Sequence, residues 1–178
     1  ELYPLIVPDG GQETPSNQEE YPMNVEVIER DEVTVSCLTS PEGYVPESIV
    51  ATWKQLIAWG AAAGIPETAQ QYFGLCHSNP AVTPVEKCRY VAALEIPEHV
   101  QVNAPFSRDR IPGGRFARVY YKGPAENTGQ AHLTLFNNWL PESGFEPDDH
   151  PSMEHYLNVA EPGGEVELEV LLKLKPLE

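Results

Sequence analysis

The segment Thr52-Trp53-Lys54-Gln55-Leu56-Ile57-Ala58-Trp59, closing at Gly64, returns further along the chain. Its second copy is His132-Leu133-Thr134-Leu135-Phe136-Asn137-Asn138-Trp139, closing at Gly144. A chain that writes one helix twice is expected to fold as two equivalent modules, and duplicated small domains commonly place a binding cleft between their halves.

The flanking patterns extend the repeat. Val25-Val27 and Val33-Val35-Cys37 alternate with polar residues, as half-buried strands do. Ser48 is a candidate N-cap for a helix carrying Ile49, Trp53, Leu56 and Ile57 at helical spacing, with Gly64 and Pro66 as its stop. Gln71 to Cys76 and Arg89 to Ile96 then read as strands, so the order is strand, helix, strand, strand. The second copy repeats it with strands at Arg115 to Tyr121, Ser152 to Leu157 and Glu165 to Lys175, and a helix from Gln130 to about Leu140. In the last strand Val166, Leu168, Val170, Leu172 and Leu174 share one face against mostly charged neighbours, which predicts one buried and one wet side of an antiparallel sheet. Pro141 lacks an N–H and clashes with the carbonyl four residues back, so the second helix is expected to bend or end near Leu140. The predicted fold is α+β: a duplicated strand-helix-strand-strand module with an antiparallel sheet, two long helices and a pocket between the halves.

Composition narrows what such a fold can do. At 178 residues and 41% hydrophobic, the chain can bury a core of ordinary size. A formal net charge of -16 repels a phosphate backbone, so no direct nucleic-acid contact is expected, and cations or basic partners are favoured. No apolar run approaches the roughly 20 residues of a membrane span, and no signal-peptide pattern opens the chain. Cys37, Cys76 and Cys88 suit buried thiols in a reducing, cytoplasmic compartment. Residues 1–22, with Pro4, Pro8, Gly10-Gly11, Pro15 and Pro22, have the composition of a linker or disordered leader. Together with the opening Glu1, they suggest a piece cut from behind an upstream partner.

Several spaced segments carry a family resemblance: Tyr72-Phe73-Gly74-Leu75 with Asn79-Pro80, Thr83-Pro84-Val85-Glu86-Lys87-Cys88-Arg89-Tyr90, and Ile111-Pro112-Gly113-Gly114-Arg115-Phe116-Ala117 with Gly123-Pro124. With Trp139-Leu140 and Glu154-His155-Tyr156-Leu157-Asn158, they resemble the GyrI-like effector-binding domains. The resemblance implies one such domain over 23–178, with module one at 23–97 and module two at 108–178, the halves enclosing a small-molecule pocket. It further implies a sensor of a lipophilic cation, attached to a DNA-binding segment of AraC or MerR type or standing alone. Two alternatives come with it: an acidic interaction protein of gyrase-inhibitor type, and a hydrolase of reactive cyclopropane compounds with Glu154 as the catalytic residue. Ser78, Tyr121 and the segment Ala125-Glu126-Asn127-Thr128 depart from many relatives, so ligand identity does not transfer.

Glu154 occupies the acid position of the Glu-x-Tyr-Leu-Asn segment and is expected to line the pocket. A carboxylate taken out of water costs several kcal/mol unless something compensates, and a cationic ligand does so. Ring faces attract such cations by about 0.5 to 2 kcal/mol per contact, which nominates Tyr156, Tyr121, Trp59, Tyr72 and Trp139 as ligand-binding residues. The expected ligand is therefore a cationic or aromatic small molecule. Gly113-Gly114 lacks the lysine and following helix of a phosphate loop and is expected to turn the chain into the second module. Asp148, Asp149, His150, Glu154 and His155 match no established metal spacing, so neither metal nor cofactor is expected.

Overall fold

The computed structural model describes residues 24–66, 70–158 and 165–176, and the predicted leader lies outside the described residues. The first copy comprises β1 (Val25–Arg30), β2 (Val33–Thr39), α1 (Pro46–Ala62), β3 (Tyr72–Cys76) and β4 (Tyr90–Glu95). β5 (Ser107–Ile111) and β6 (Gly114–Pro124) then lead into α2 (Thr128–Leu133), a π-helical stretch over Thr134–Trp139 and a last helical turn, α3 (Leu140–Ser143). β7 (Ser152–Tyr156) and β8 (Glu165–Lys173) complete the second copy. Among the described residues, eight strands form one antiparallel sheet in the order β1-β6-β8-β7-β3-β4-β2-β5. Exchanging the copies, β6 for β2, β8 for β4 and β7 for β3, reverses this order onto itself. A pseudo-twofold axis therefore passes between β3 and β7.

The edge strands are traded between the copies. β1 enters β2 through Asp31-Glu32 alone, yet it pairs with β6; β5 enters β6 through Pro112-Gly113, yet it pairs with β2. Each two-residue link spans three Cα–Cα steps and reaches at most about 11 Å, so strands at opposite ends of the sheet meet where the links cross. The crossing needs glycine, because a Cβ on Gly113 would lie 2.8 Å from Glu32 N and 2.9 Å from Arg30 O. The sheet consequently curls into a half-barrel. Arg30 at the end of β1 donates to Gln71 Oε1 at 2.6 Å and stands over the Phe73 ring, four strands away in the sheet order.

Both faces of the curled sheet are apolar. One packs Tyr90, Leu94, Val119, Tyr156, Leu168 and Val170 against Trp53 and Leu56 of α1 and Ala131 and Leu135 of the second helical segment. The other gathers Val35, Phe73, Leu75, Val91, Phe116, Met153 and Leu171. This second cluster changes two expectations. β2 is buried on both faces at every residue but Thr39. β8 has a wet side only at its start: Leu171 is fully buried, and Lys173 lies under the surface over the Phe116 ring, donating to Asp148 and the Leu174 carbonyl.

The helix ends also depart from their patterns. α1 begins at Pro46, whose ring presets φ and whose missing N–H would have no partner there in any case. Ser48 is thus no N-cap; its Oγ meets Ser40 Oγ at 2.7 Å and accepts the Glu42 N–H. The predicted stop is present, with Ile65 N–H bonded to Gly60 O and Gly64 N–H to Ala61 O around a left-handed Gly64. Pro141 neither ends nor sharply breaks the second helix. The turn before it widens instead, and the Leu140 N–H bonds to Leu135 O, five residues back.

Replacing Gly113 with Ala is expected to lower stability by about 1–3 kcal/mol, because backbone faces backbone at the crossing and neither side can rotate away. Urea unfolding checks this through a lower midpoint at unchanged slope.

Candidate functional site

β3 and β7 meet on the pseudo-twofold axis with Gly74 directly opposite Glu154. These two residues are also each other's equivalents in the repeat. Where one copy has no side chain the other has a carboxylate, and Glu154 is 0% exposed. Strand alternation points it to the helix-covered face with Tyr156, while Met153 and His155 point away. A Cβ on Gly74 would lie 2.5 Å from the hydroxyls of both Tyr156 and Tyr90. Gly74 therefore makes the room that the acid's surroundings occupy.

A directed hydrogen-bond relay ends on the acid. Trp53 Nε1–H donates to Tyr90 Oη at 2.8 Å, Tyr90 and Tyr156 hydroxyls meet at 2.8 Å, and Tyr156 donates to Glu154 Oε1 at 3.2 Å. Because Tyr156 spends its one proton on the Glu154 carboxylate, the Tyr90 hydroxyl donates to Tyr156 while accepting from Trp53, and the chain is polarised toward the carboxylate. Burial first, and the Glu154 charge second, push both phenols well above their ordinary range, so they serve as donors at neutral pH.

The other carboxylate oxygen is treated differently. His132, on α2, brings Nε2 to 3.4 Å from Glu154 Oε2, close enough for an ion pair but out of line for a hydrogen bond. Both atoms are buried without a hydrogen-bond partner among the described residues. Ser152 Oγ holds the other ring nitrogen, Nδ1, at 3.3 Å. Cys76, the last residue of β3, brings its thiol to the same place, and its Sγ, His132 and Glu154 offer ligand atoms all within 4.8 Å of one another. Burial, reinforced by the Glu154 charge, raises the Cys76 thiol well above its usual value.

The sequence-nominated residues divide. Glu154 and Tyr156 are adjacent at the centre, and Tyr72 lies opposite Tyr156 in the β3–β7 register with its ring 6.0 Å from that of Trp53. Trp59 packs on Phe106, Trp139 stacks on Phe145, and the Tyr121 hydroxyl donates to the Pro124 carbonyl. Trp53, Tyr90, His132 and Cys76 were not nominated. Trp53 and Tyr90 read as core and motif residues, and only the sheet order reveals that their polar atoms converge. The acidic segment around Asp148 does not converge on the site: Asp148 pairs with Lys173, and His155 pairs with Glu169 on the far face. A separate cavity of about 290 Å³, lined by His77, Arg89, Asp109 and His150 among others, also opens on that far face.

The two helices cover the site unequally. Trp53 is fully buried, whereas its equivalent Leu133 is 54% exposed and Phe136, the equivalent of Leu56, is 37% exposed. A stripe through Thr128, Ala131 and Leu135 is buried instead, which leaves two apolar side chains at the surface within four positions of His132.

The family described as GyrI-like small molecule binding domain matches residues 23–175. A DNA gyrase inhibitor of Erwinia billingiae is 25% identical over 167 residues, covering 88% of this chain and all of its own. The probable transcriptional regulator YgiV of Escherichia coli K12 is 28% identical over 149 residues, covering 83% of this chain and 92% of its own. The EcmrR C-terminal domain superposes with a TM-score of 0.66 at 15% identity, covering 87% of this chain and 99% of its own, a likeness of fold. The chain belongs to the GyrI-like small molecule binding domain family.

The raised phenols have a signed consequence for stability. Their folded pKa values exceed the ordinary 10.0, so their contribution is fully present below pH 10 and is lost as pH rises through the folded values. Urea denaturation from pH 8 to 11.5 is expected to show stability falling above about pH 10, by up to about 1.4 kcal/mol per pH unit for each phenol. The fall should be shallower in the Tyr90→Phe/Tyr156→Phe double variant.

Proposed function

We propose that this GyrI-like domain senses a lipophilic, cationic small molecule held at Glu154, and that it is the effector-binding part of a transcription regulator. The observation that carries this reading is a fully buried carboxylate with one oxygen oriented by Tyr156 and the other without a hydrogen-bond partner among the described residues. A buried charge left half-satisfied is costly, and a cation entering beside it recovers that cost while a neutral molecule does not. Tyr72 and Tyr156 supply ring surface near the charge; in this reading Trp59, Tyr121 and Trp139 form the outer wall. The exposed Leu133 and Phe136 offer apolar contact to the ligand's hydrophobic body beside His132.

The site is closed over Glu154, so a ligand must displace the cover, and the π-helical stretch Thr134–Trp139 is suited to that role because its backbone already departs from α-helical bonding. Binding then favours the opened arrangement by its differential affinity, which biases an attached domain. The similarity to a protein named as a probable transcriptional regulator supports this assignment. Among the described residues no helix is long and apolar enough to cross a membrane, and Cys37, Cys76 and Cys88 are free, which supports a reducing, cytoplasmic setting.

Titration of dye-like and quaternary-ammonium cations, followed by tryptophan fluorescence, tests the reading. Glu154→Gln is expected to weaken them at least tenfold, about 1.4 kcal/mol, and to leave a neutral isostere unaffected. Equal cation affinity in both proteins removes the carboxylate from the mechanism.

A further inference from the structure

The imidazole beside Glu154 is the least explained part of the site. If Nδ1 donates to Ser152, then Nε2 presents a lone pair to a carboxylate oxygen, and two acceptors face each other in a dry place. If the other tautomer is present, the Nε2–H points near Oε2 without the alignment of a hydrogen bond. Neither arrangement satisfies both atoms, and a third group of matching chemistry, the Cys76 thiol, stands within 4.8 Å of both.

We propose that Cys76, His132 and Glu154 form a binding site for a single divalent transition-metal ion of the zinc class. Sulfur, imidazole nitrogen and carboxylate oxygen are the zinc ligand types, and bond lengths of about 2.0–2.3 Å set tetrahedral ligand edges of roughly 3.3–3.7 Å. The 3.4 Å between His132 Nε2 and Glu154 Oε2 is such an edge, and the thiol needs to close by about an ångström or less to complete the others. The supporting contacts of a metal site are in place: Ser152 on the far nitrogen of His132, and Tyr156 on the far oxygen of Glu154. Three protein ligands leave a fourth position for water or an exogenous donor. Entry is from the α2 side, where the His132 side chain keeps 17% exposure. Binding displaces the thiol proton to solvent, giving the thiolate that zinc requires.

This site shares Glu154 with the proposed organic cation but does not depend on it. The two occupants are mutually exclusive, so the ion would act as a competing effector.

The test uses the full chain, purified free of metal under reducing conditions, with Co²⁺ as a spectroscopic probe and Zn²⁺ as competitor. The expected result is one Co²⁺ per chain, with a near-ultraviolet thiolate-to-cobalt band and strong visible absorption of tetrahedral type, both removed by one equivalent of Zn²⁺. Cys76→Ala should abolish the thiolate band, and His132→Ala should weaken Zn²⁺ by more than the roughly 10–100-fold that loss of an outer partner costs. Ser152→Ala should weaken it within that range. The Cys37→Ser/Cys88→Ser double variant should behave as wild type. A thiolate band that survives Cys76→Ala, an affinity unchanged by His132→Ala, or absence of the band in the wild type overturns the site. Circular dichroism of each variant verifies folding. Zn²⁺ and organic-cation affinities measured side by side on wild type and Cys76→Ala separate the two readings: the metal site fails alone if Cys76→Ala leaves Zn²⁺ binding unchanged while the wild type binds organic cations, and the ligand reading fails alone if the wild type binds Zn²⁺ but no organic cation.

Discussion

Where Gly113 passes against the backbone of Arg30 to Glu32, each half of the protein hands its edge strand to the other. The crossing holds two modules in one sheet through exchanged strand pairing. It also imposes the curl, since two-residue links must join strands at opposite ends of the strand order. Curling brings Arg30 to Phe73 and closes the second apolar cluster, a face that a flat sheet would leave to solvent. The β3–β7 pair, and with it the site, lies on the axis that the crossing fixes.

On that axis the duplicated frame is chemically unequal. Antiparallel pairing across a twofold axis sets only the residue on the axis opposite its own equivalent, so Gly74 faces Glu154, and glycine there keeps a second acid out. A carboxylate in both places would confront like charges in a dry interior and force one of them to keep its proton. The empty Gly74 position is filled by the Tyr90 and Tyr156 hydroxyls, which relay the Trp53 donor to the acid. The helices are unequal for the same reason. The first copy seals its side with Trp53, and the second presents His132 to the acid and leaves Leu133 and Phe136 outside.

Much of this frame is legible in the residue pattern. The repeated helix, the strand-helix-strand-strand order and the left-handed stop at Gly64 follow from local rules that need no neighbours. β5 gave no such signal. Ser107-Arg108-Asp109-Arg110-Ile111 has no apolar alternation, and it is a strand because β2 offers it an open edge and its arginines pair with Glu98 and Glu32. The burial of β2 and of Leu171 and Lys173 escaped for a related reason: the far face is dry only because distant strands fold over it.

The site divides along the same line. By itself the sequence determined that the chain is a duplicated α+β domain, that its second half alone carries the Glu154-His155-Tyr156 segment, and that Glu154 and Tyr156 point to one side of their strand, since strand alternation is a property of the local backbone. Tertiary structure alone decided what surrounds them. Cys76, Tyr90, Trp53 and His132 come from four elements, and their convergence on one carboxylate depends on register between strands and on the rotation of each helix about its axis. Both are set by packing across the whole sheet, and neither is written in the spacing of the residues involved.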